Sequence, residues 1–76
     1  MRNLARLEEK VARRYHEITD FNNLSQRSRF YTALQEFRRR ERNLGYHEKF
    51  RALSRNVSRL VEWAERGYQK SQWAAA

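Results

Sequence analysis

The sequence predicts an all-α protein, a small up-down-up bundle of three helices over roughly residues 2–19, 25–44 and 47–70. Three observations carry this expectation. Proline is absent and glycine occurs only as Gly45 and Gly67, so little interrupts a chain rich in Leu, Ala, Glu, Gln and Arg, all good helix formers. Apolar residues return at steps of three and four in three separate stretches, the spacing of one helix face. Residues that favour turns and caps gather between the first two stretches, and a glycine separates the second from the third.

In the first stretch the face is Leu4, Leu7, Val11, Tyr15 and Ile18. The segment Thr19-Asp20-Phe21-Asn22-Asn23-Leu24-Ser25 follows, with Ser25 the expected N-cap of helix 2 and Asn22 or Asn23 as alternatives. Helix 2 carries Phe30, Leu34, Phe37 and Leu44 on one face, with Glu41 in the slot where another apolar residue would fall. Gly45 comes directly after Leu44, the usual place for a left-handed helix stop. The third stretch reads Phe50, Leu53, Val57, Leu60 and Ala64, with Val61 and Tyr68 beside that face and Gly67 inside or near the helix end. Residues 71–76 are expected to fray, leaving residues 1–70 as one helical domain.

Two other arrangements compete with this bundle. In one, helices 2 and 3 merge into a single long helix that dimerises; in the other, one helix packs across a two-fold axis. The apolar phase argues against merging. Continuing the 30-34-37-41-44 series predicts apolar residues at 48 and 51, where the chain has Glu48 and Arg51. The phase resets at Gly45, so a break is expected there. A homodimer stays open.

A chain of 76 residues buries only ~60% of the surface its unfolded form exposes. Its single core is expected to supply no more than ~3–5 kcal/mol, so a second subunit or a partner would add to it. There is no cysteine, hence neither a disulfide framework nor a cysteine-based zinc site. No apolar run approaches the ~20 residues that span a bilayer, and the first residues lack the apolar region of a secretory signal. The expected setting is cytoplasmic.

Charge is the most informative feature. The net charge is +8, from 17 basic and 9 acidic residues. Arginine outnumbers lysine, which occurs only as Lys10, Lys49 and Lys70; arginine makes the planar, bidentate phosphate contacts that lysine does not. A GC-rich genome would account for that ratio but not for the net charge. Residues 1–7 and 38–55 together hold +7 of the total, while 8–37 are neutral. An up-down-up bundle gathers these two segments at one pole. The pole would then hold Arg2, Arg6, Arg38, Arg39, Arg40, Arg42, Lys49, Arg51 and Arg55, and charge focused this way draws anionic partners.

Ordinary helix physics accounts for part of the run. Cations near a helix C-terminus are favoured by the macrodipole at ~0.3–1 kcal/mol each, and Glu36–Arg40, Glu9–Arg13 and Glu62–Arg66 are spaced for surface pairing along a helix. Arg38-Arg39-Arg40-Glu41-Arg42 exceeds what a helix end needs, because its like charges repel. Glu41, on the apolar face near the same pole, is read as a register pin reached by Arg2, Arg6 or Lys49; that reading is preferred to a lone catalytic acid. Trp63 points away from the helix 3 apolar face, beside Asn56, Arg59, Arg66 and Gly67. It is a candidate aromatic anchor for a partner or a base, or else a cover for helix 1.

Catalytic signatures are missing. There is no glycine-rich phosphate loop, no usefully spaced carboxylate pair and no Ser-His-Asp or Cys-His set. His16 and Asp20 are four apart but have no further ligand nearby, so no metal or cofactor is expected. His47 would join the basic pole when protonated. The helix-glycine-helix around Gly45 fails as a helix-turn-helix reader, since Glu41, Arg51 and Ser54 stand where small or apolar residues are needed.

These features predict a non-enzymatic binding protein whose basic pole contacts nucleic acid or a ribonucleoprotein, mainly at phosphates. The alternative is a small inhibitor or adaptor of the phage or plasmid type, docking the same arginines on an acidic protein surface such as that of a nucleic-acid-handling enzyme. A basic helix lying on an anionic membrane is weaker, because the apolar faces are needed for the bundle.

Overall fold

Three helices and one short 3-10 turn account for the chain: α1 Leu4–His16, α2 Leu24–Leu44, the turn Glu48–Phe50, and α3 Arg51–Ala75. The computed structural model describes residues 3–45 and 47–75. Among these there is no strand, and no helix is long and apolar enough to cross a membrane. The protein is a small three-helix bundle, as the periodicity predicts.

The predicted faces form the core. Leu4, Leu7 and Val11 of α1 are buried against Phe30, Ala33 and Phe37 of α2 and Val57, Leu60 and Ala64 of α3. Phe30, Phe37, Leu4, Val11 and Val57 are the largest fully buried side chains. Burying one such residue contributes ~1.5–3 kcal/mol relative to leaving it exposed. Tyr15, half-buried at the end of α1, gathers Phe21, Phe30 and Trp63, with ring centroids 6.3, 6.2 and 6.1 Å away. A cross-helix ion pair, Lys10 Nζ to Glu36 Oε2 at 3.3 Å, ties α1 to α2 at the edge of this core.

Helix α1 contacts both other helices, whereas the backbones of α2 and α3 scarcely approach each other. α1 has 13 residues against 21 and 25 for its neighbours, so it is about 20 Å long at 1.5 Å per residue. It works as a wedge, shorter than the two helices it separates. The molecule is elongated, 43 × 20 × 16 Å with a radius of gyration of 13.3 Å, against about 11 Å for a globular chain of this length. At the end away from the Gly45 turn, α2 and α3 meet through Arg27, whose guanidinium lies 4.2 Å from the Tyr68 ring centroid.

Several boundaries differ from expectation, each for a local reason. Helix 1 stops at His16 rather than near 19. The Gln26 carboxamide takes over there: its oxygen accepts from the N–H of Thr19 at 3.1 Å and of Asp20 at 3.0 Å, and its Nε2 donates to Thr19 Oγ1 at 3.0 Å. Ile18 still reaches the core, turned inward as its N–H bonds to the Tyr15 carbonyl at 3.1 Å. The cap of α2 is Asn23 and not Ser25; its side chain accepts from the Gln26 N–H at 3.0 Å. Asn3 caps α1 in the same way, accepting from the Arg6 N–H at 2.9 Å. Residues 71–75 continue α3 beyond Lys70 instead of leaving it.

The break at Gly45 stands as predicted, but its conformation is not the left-handed helical one. Gly45 has φ 80° and ψ 166°, a region open essentially to glycine alone. This extended ψ sends the chain off the helix axis, and the Gly45 N–H bonds back to the Arg42 carbonyl at 3.2 Å. We predict that Gly45→Ala lowers stability by ~1–3 kcal/mol. Gly45→Asn is expected to lower it comparably, because asparagine tolerates the left-handed helical region and not this one; urea denaturation of both variants checks this.

Gly67 is required for space. A Cβ there would stand 2.7–2.9 Å from the Phe21 ring. In Gly67→Ala a helix-propensity gain of ~1 kcal/mol opposes an overpacking cost of ~1–3 kcal/mol, and a net loss is expected. The same substitution in a Phe21→Ala background should become stabilising, a sign reversal readable in a thermal double-mutant cycle.

Candidate nucleic-acid interface

Once Gly45 turns the chain, α1 and α3 both start at the end where α2 finishes. This brings most of the sequence-predicted basic residues to one end of the bundle. Arg6, Arg38, Arg39, Arg42, Lys49, Arg51 and Arg55 are all exposed, and Arg40 is half-buried. Arg2 lies outside the described residues. Among the described residues, the ion pairs within 4 Å are Lys10–Glu36 and Arg14–Glu17, so neither of them engages the cations of this pole. The pairings suggested by spacing do not form there: Glu36 reaches across to Lys10 rather than along the helix to Arg40.

The arginine run does not present one surface. At 100° per residue, Arg38 and Arg42 share a flank of α2, Arg39 faces outward and Arg40 turns toward α1. Arg39 and Arg40 border a groove of about 460 Å³ between α1 and α2, with Leu7, Gln35 and Asn43. The Arg40 Nε is buried there without a hydrogen-bond partner.

On the opposite side, a cleft of about 510 Å³ opens between the end of α2 and the start of α3. Gly45, His47, Glu48 and Phe50 form its turn side, and Arg51, Ser54, Arg55 and Ser58 its α3 side. Glu41 is its α2 side. The phase shift at the turn explains the cleft. It presents Arg51 and Arg55 where a continuous helix face would need apolar residues, and α2 and α3 scarcely touch each other there.

Glu41 is 6% exposed, the buried charged residue of the core. The sequence reading made it a register pin held by Arg2, Arg6 or Lys49. Neither Arg6 nor Lys49 comes within 4 Å of its carboxylate, and no hydrogen bond reaches it among the described residues. Lys49 instead stands 5.1 Å from the Phe50 ring centroid, while the His47 ring meets Phe50 edge-on at 6.1 Å. Sequence reasoning found Glu41 by its phase and missed its place in a cleft. Ser58 carried no signal of its own, and His47, expected at the basic pole, lines this cleft with Ser54.

Trp63 sits away from this pole. It is 46% exposed and packs its ring toward Tyr15 of α1, the covering role weighed from sequence. Trp73, at 77%, is more exposed. His16 is exposed, and among the described residues no group of three or more His, Cys, Asp or Glu could hold a metal. Partial burial, backed by the like charge of Glu9, raises the Glu8 carboxyl above its ordinary range; Glu8 does not line the cleft. Compared with known proteins, the chain matches no family model, no curated protein and no solved structure.

The unpartnered Nε of Arg40 generates a prediction. Arg40→Met keeps most of the aliphatic stem and removes a buried donor whose burial costs ~1–3 kcal/mol. Its urea midpoint is expected to equal or exceed that of the unsubstituted protein, while Arg40→Ala, which also loses the stem, should fall below it.

Proposed function

We propose that this protein is a non-enzymatic binding protein that contacts nucleic acid, free or within a ribonucleoprotein, through its arginine-rich pole. The observation that carries the reading is the unpaired state of the pole. Arg38, Arg39, Arg42, Lys49, Arg51 and Arg55 are exposed, and among the described residues none has a carboxylate within 4 Å. Six exposed cations at one end of the bundle outnumber Glu41 and Glu48 beside them, and a polyanion relieves their mutual repulsion while releasing its own condensed counterions.

Arginine suits phosphate because its planar guanidinium donates two parallel hydrogen bonds. The clefts beside α2 and α3 favour an irregular or single-stranded partner over a duplex groove, since the pole offers no helix whose exposed face reads as a major-groove probe. Phosphate contacts supply most of the affinity, and any preference for sequence has to come from elsewhere in the site.

Filter binding of a labelled single-stranded oligonucleotide across a salt series tests this. Contact of four phosphates by Arg38, Arg42, Arg51 and Arg55 gives a slope of log K against log salt of about −3. Arg38→Ala and Arg51→Ala should each reduce the slope by roughly 0.7, while Arg66→Ala, far along α3, should leave it unchanged. Affinity insensitive to salt overturns the reading, as does tight salt-dependent capture of an acidic protein with no binding to any oligonucleotide.

A further inference from the structure

We infer that the cleft beside Gly45 is a guanine site, with Glu41 accepting hydrogen bonds from the Watson–Crick edge of a single unstacked guanine nucleotide. This rests on the nucleic-acid reading of the pole and gives it a base preference. The argument begins with Glu41. Glu41 is 6% exposed as a residue, and its carboxylate accepts hydrogen bonds from any donor that reaches it. No described side chain or backbone group does so, and the residue lines an open cleft. Its missing partners therefore come from whatever enters that cleft.

Three features of the cleft define the occupant. Its α2 side offers a carboxylate, which only accepts hydrogen bonds when ionised and can take two donors side by side. Its α3 side carries Arg51 and Arg55, both exposed, which favour an anionic group and oppose an incoming cation. Its turn side contributes the exposed Glu48, which leaves the α3 arginines as the cationic wall, together with Phe50 and His47, rings set edge to face at 6.1 Å, and aromatic or imidazole faces stack on splayed bases. The occupant is thus flat, anionic at one end, and has two adjacent donors at the other. Guanine presents that pair in N1–H and the exocyclic N2–H. Adenine and cytosine place an acceptor next to their amino donor, and uracil flanks its single N–H with two carbonyls. Among nucleotides, only guanine matches both oxygens of Glu41. The cleft volume of about 510 Å³ falls within the ~300–1,000 Å³ of small-ligand sites.

Serine hydroxyls complete the arrangement. Ser54 and Ser58, one helical turn apart on α3, can donate to or accept from the base carbonyl or the ribose without imposing a charge. The two sources of a guanine nucleotide, a single strand and a free mononucleotide, share this chemistry.

The test uses the full chain and four labelled nonanucleotides: a uridine tract, and the same tract with one central guanine, adenine or cytosine. Anisotropy titration at fixed salt is expected to give roughly tenfold tighter binding for the guanine oligonucleotide than for the other three. GMP, but not AMP, CMP or UMP, should shift the backbone amide signals of Gly45, His47 and Ser54 in a proton–nitrogen NMR spectrum. Glu41→Gln, which replaces one acceptor by a donor, should erase the guanine preference while keeping the affinity for the uridine tract. Glu41→Asp keeps the carboxylate and should retain part of the preference, with circular dichroism reporting that both variants are folded.

If GMP competes as well as the guanine oligonucleotide does, the free nucleotide is the ligand; if the oligonucleotide is far tighter, the single strand is. Equal affinity for all four oligonucleotides overturns the guanine site and leaves the phosphate-binding reading standing. An unchanged preference in Glu41→Gln also overturns it. Absence of any oligonucleotide binding removes both. Cleft signals that move on dilution, with a dimer in sedimentation and no response to GMP, assign the cleft to a second copy of the chain and overturn the proposal.

Discussion

The structure depends on the packing of one short helix. α1 presents Leu4, Leu7, Val11 and Tyr15 to two longer helices that scarcely touch each other. Its apolar face is the common surface on which Phe30, Ala33 and Phe37 from one side and Val57, Leu60 and Ala64 from the other are buried. A wedge of 13 residues covers only part of the length of its neighbours, 21 and 25 residues long. Everything beyond its ends must be satisfied in another way, or left open to solvent and partners.

The two ends solve this differently. Around the α1–α2 connection, polar and aromatic side chains close the gap. Gln26 and Asn23 satisfy exposed backbone donors, Phe21 fills the space left by Gly67, and the Arg27 guanidinium covers Tyr68. At the Gly45 end the chain departs with a backbone conformation reserved for glycine, and α3 begins with arginines and serines facing the gap. That end remains a cleft, with a buried carboxylate in it and basic residues around it. The contrast is physical: one end is closed by hydrogen bonds and ring contacts, the other keeps charge that the protein does not neutralise internally.

On the proposed function, the charge at the pole and Glu41 beside it would serve two different parts of recognition. Exposed arginines act at long range and on any polyanion, and salt weakens them. A carboxylate lining a cleft makes its hydrogen bonds only at contact and distinguishes donors from acceptors. On the proposed reading, the pole accounts for affinity and Glu41 for preference. The division follows from geometry, since hydrogen bonds require direct contact in a set direction whereas charge acts at a distance.

The amino-acid sequence by itself determined the helix count, the core faces and the break at Gly45, because all three follow from local periodicity and from glycine's conformational freedom. It also located the charge, since residues 38–55 are basic in any fold. Helix ends were less legible: Gln26, eight residues beyond Ile18, ends α1's influence through long side-chain bonds that no periodicity records. The spread of the arginine run around α2, and the absence of a partner for Glu41 among the described residues, were decided only by tertiary structure. Spacing says which side of a helix a residue occupies, but whether a neighbour fills the space opposite depends on how closely the next helix packs. Here α2 and α3 scarcely touch, and the gap between them leaves Glu41 lining an open cleft, with neither Arg6 nor Lys49 in reach of it.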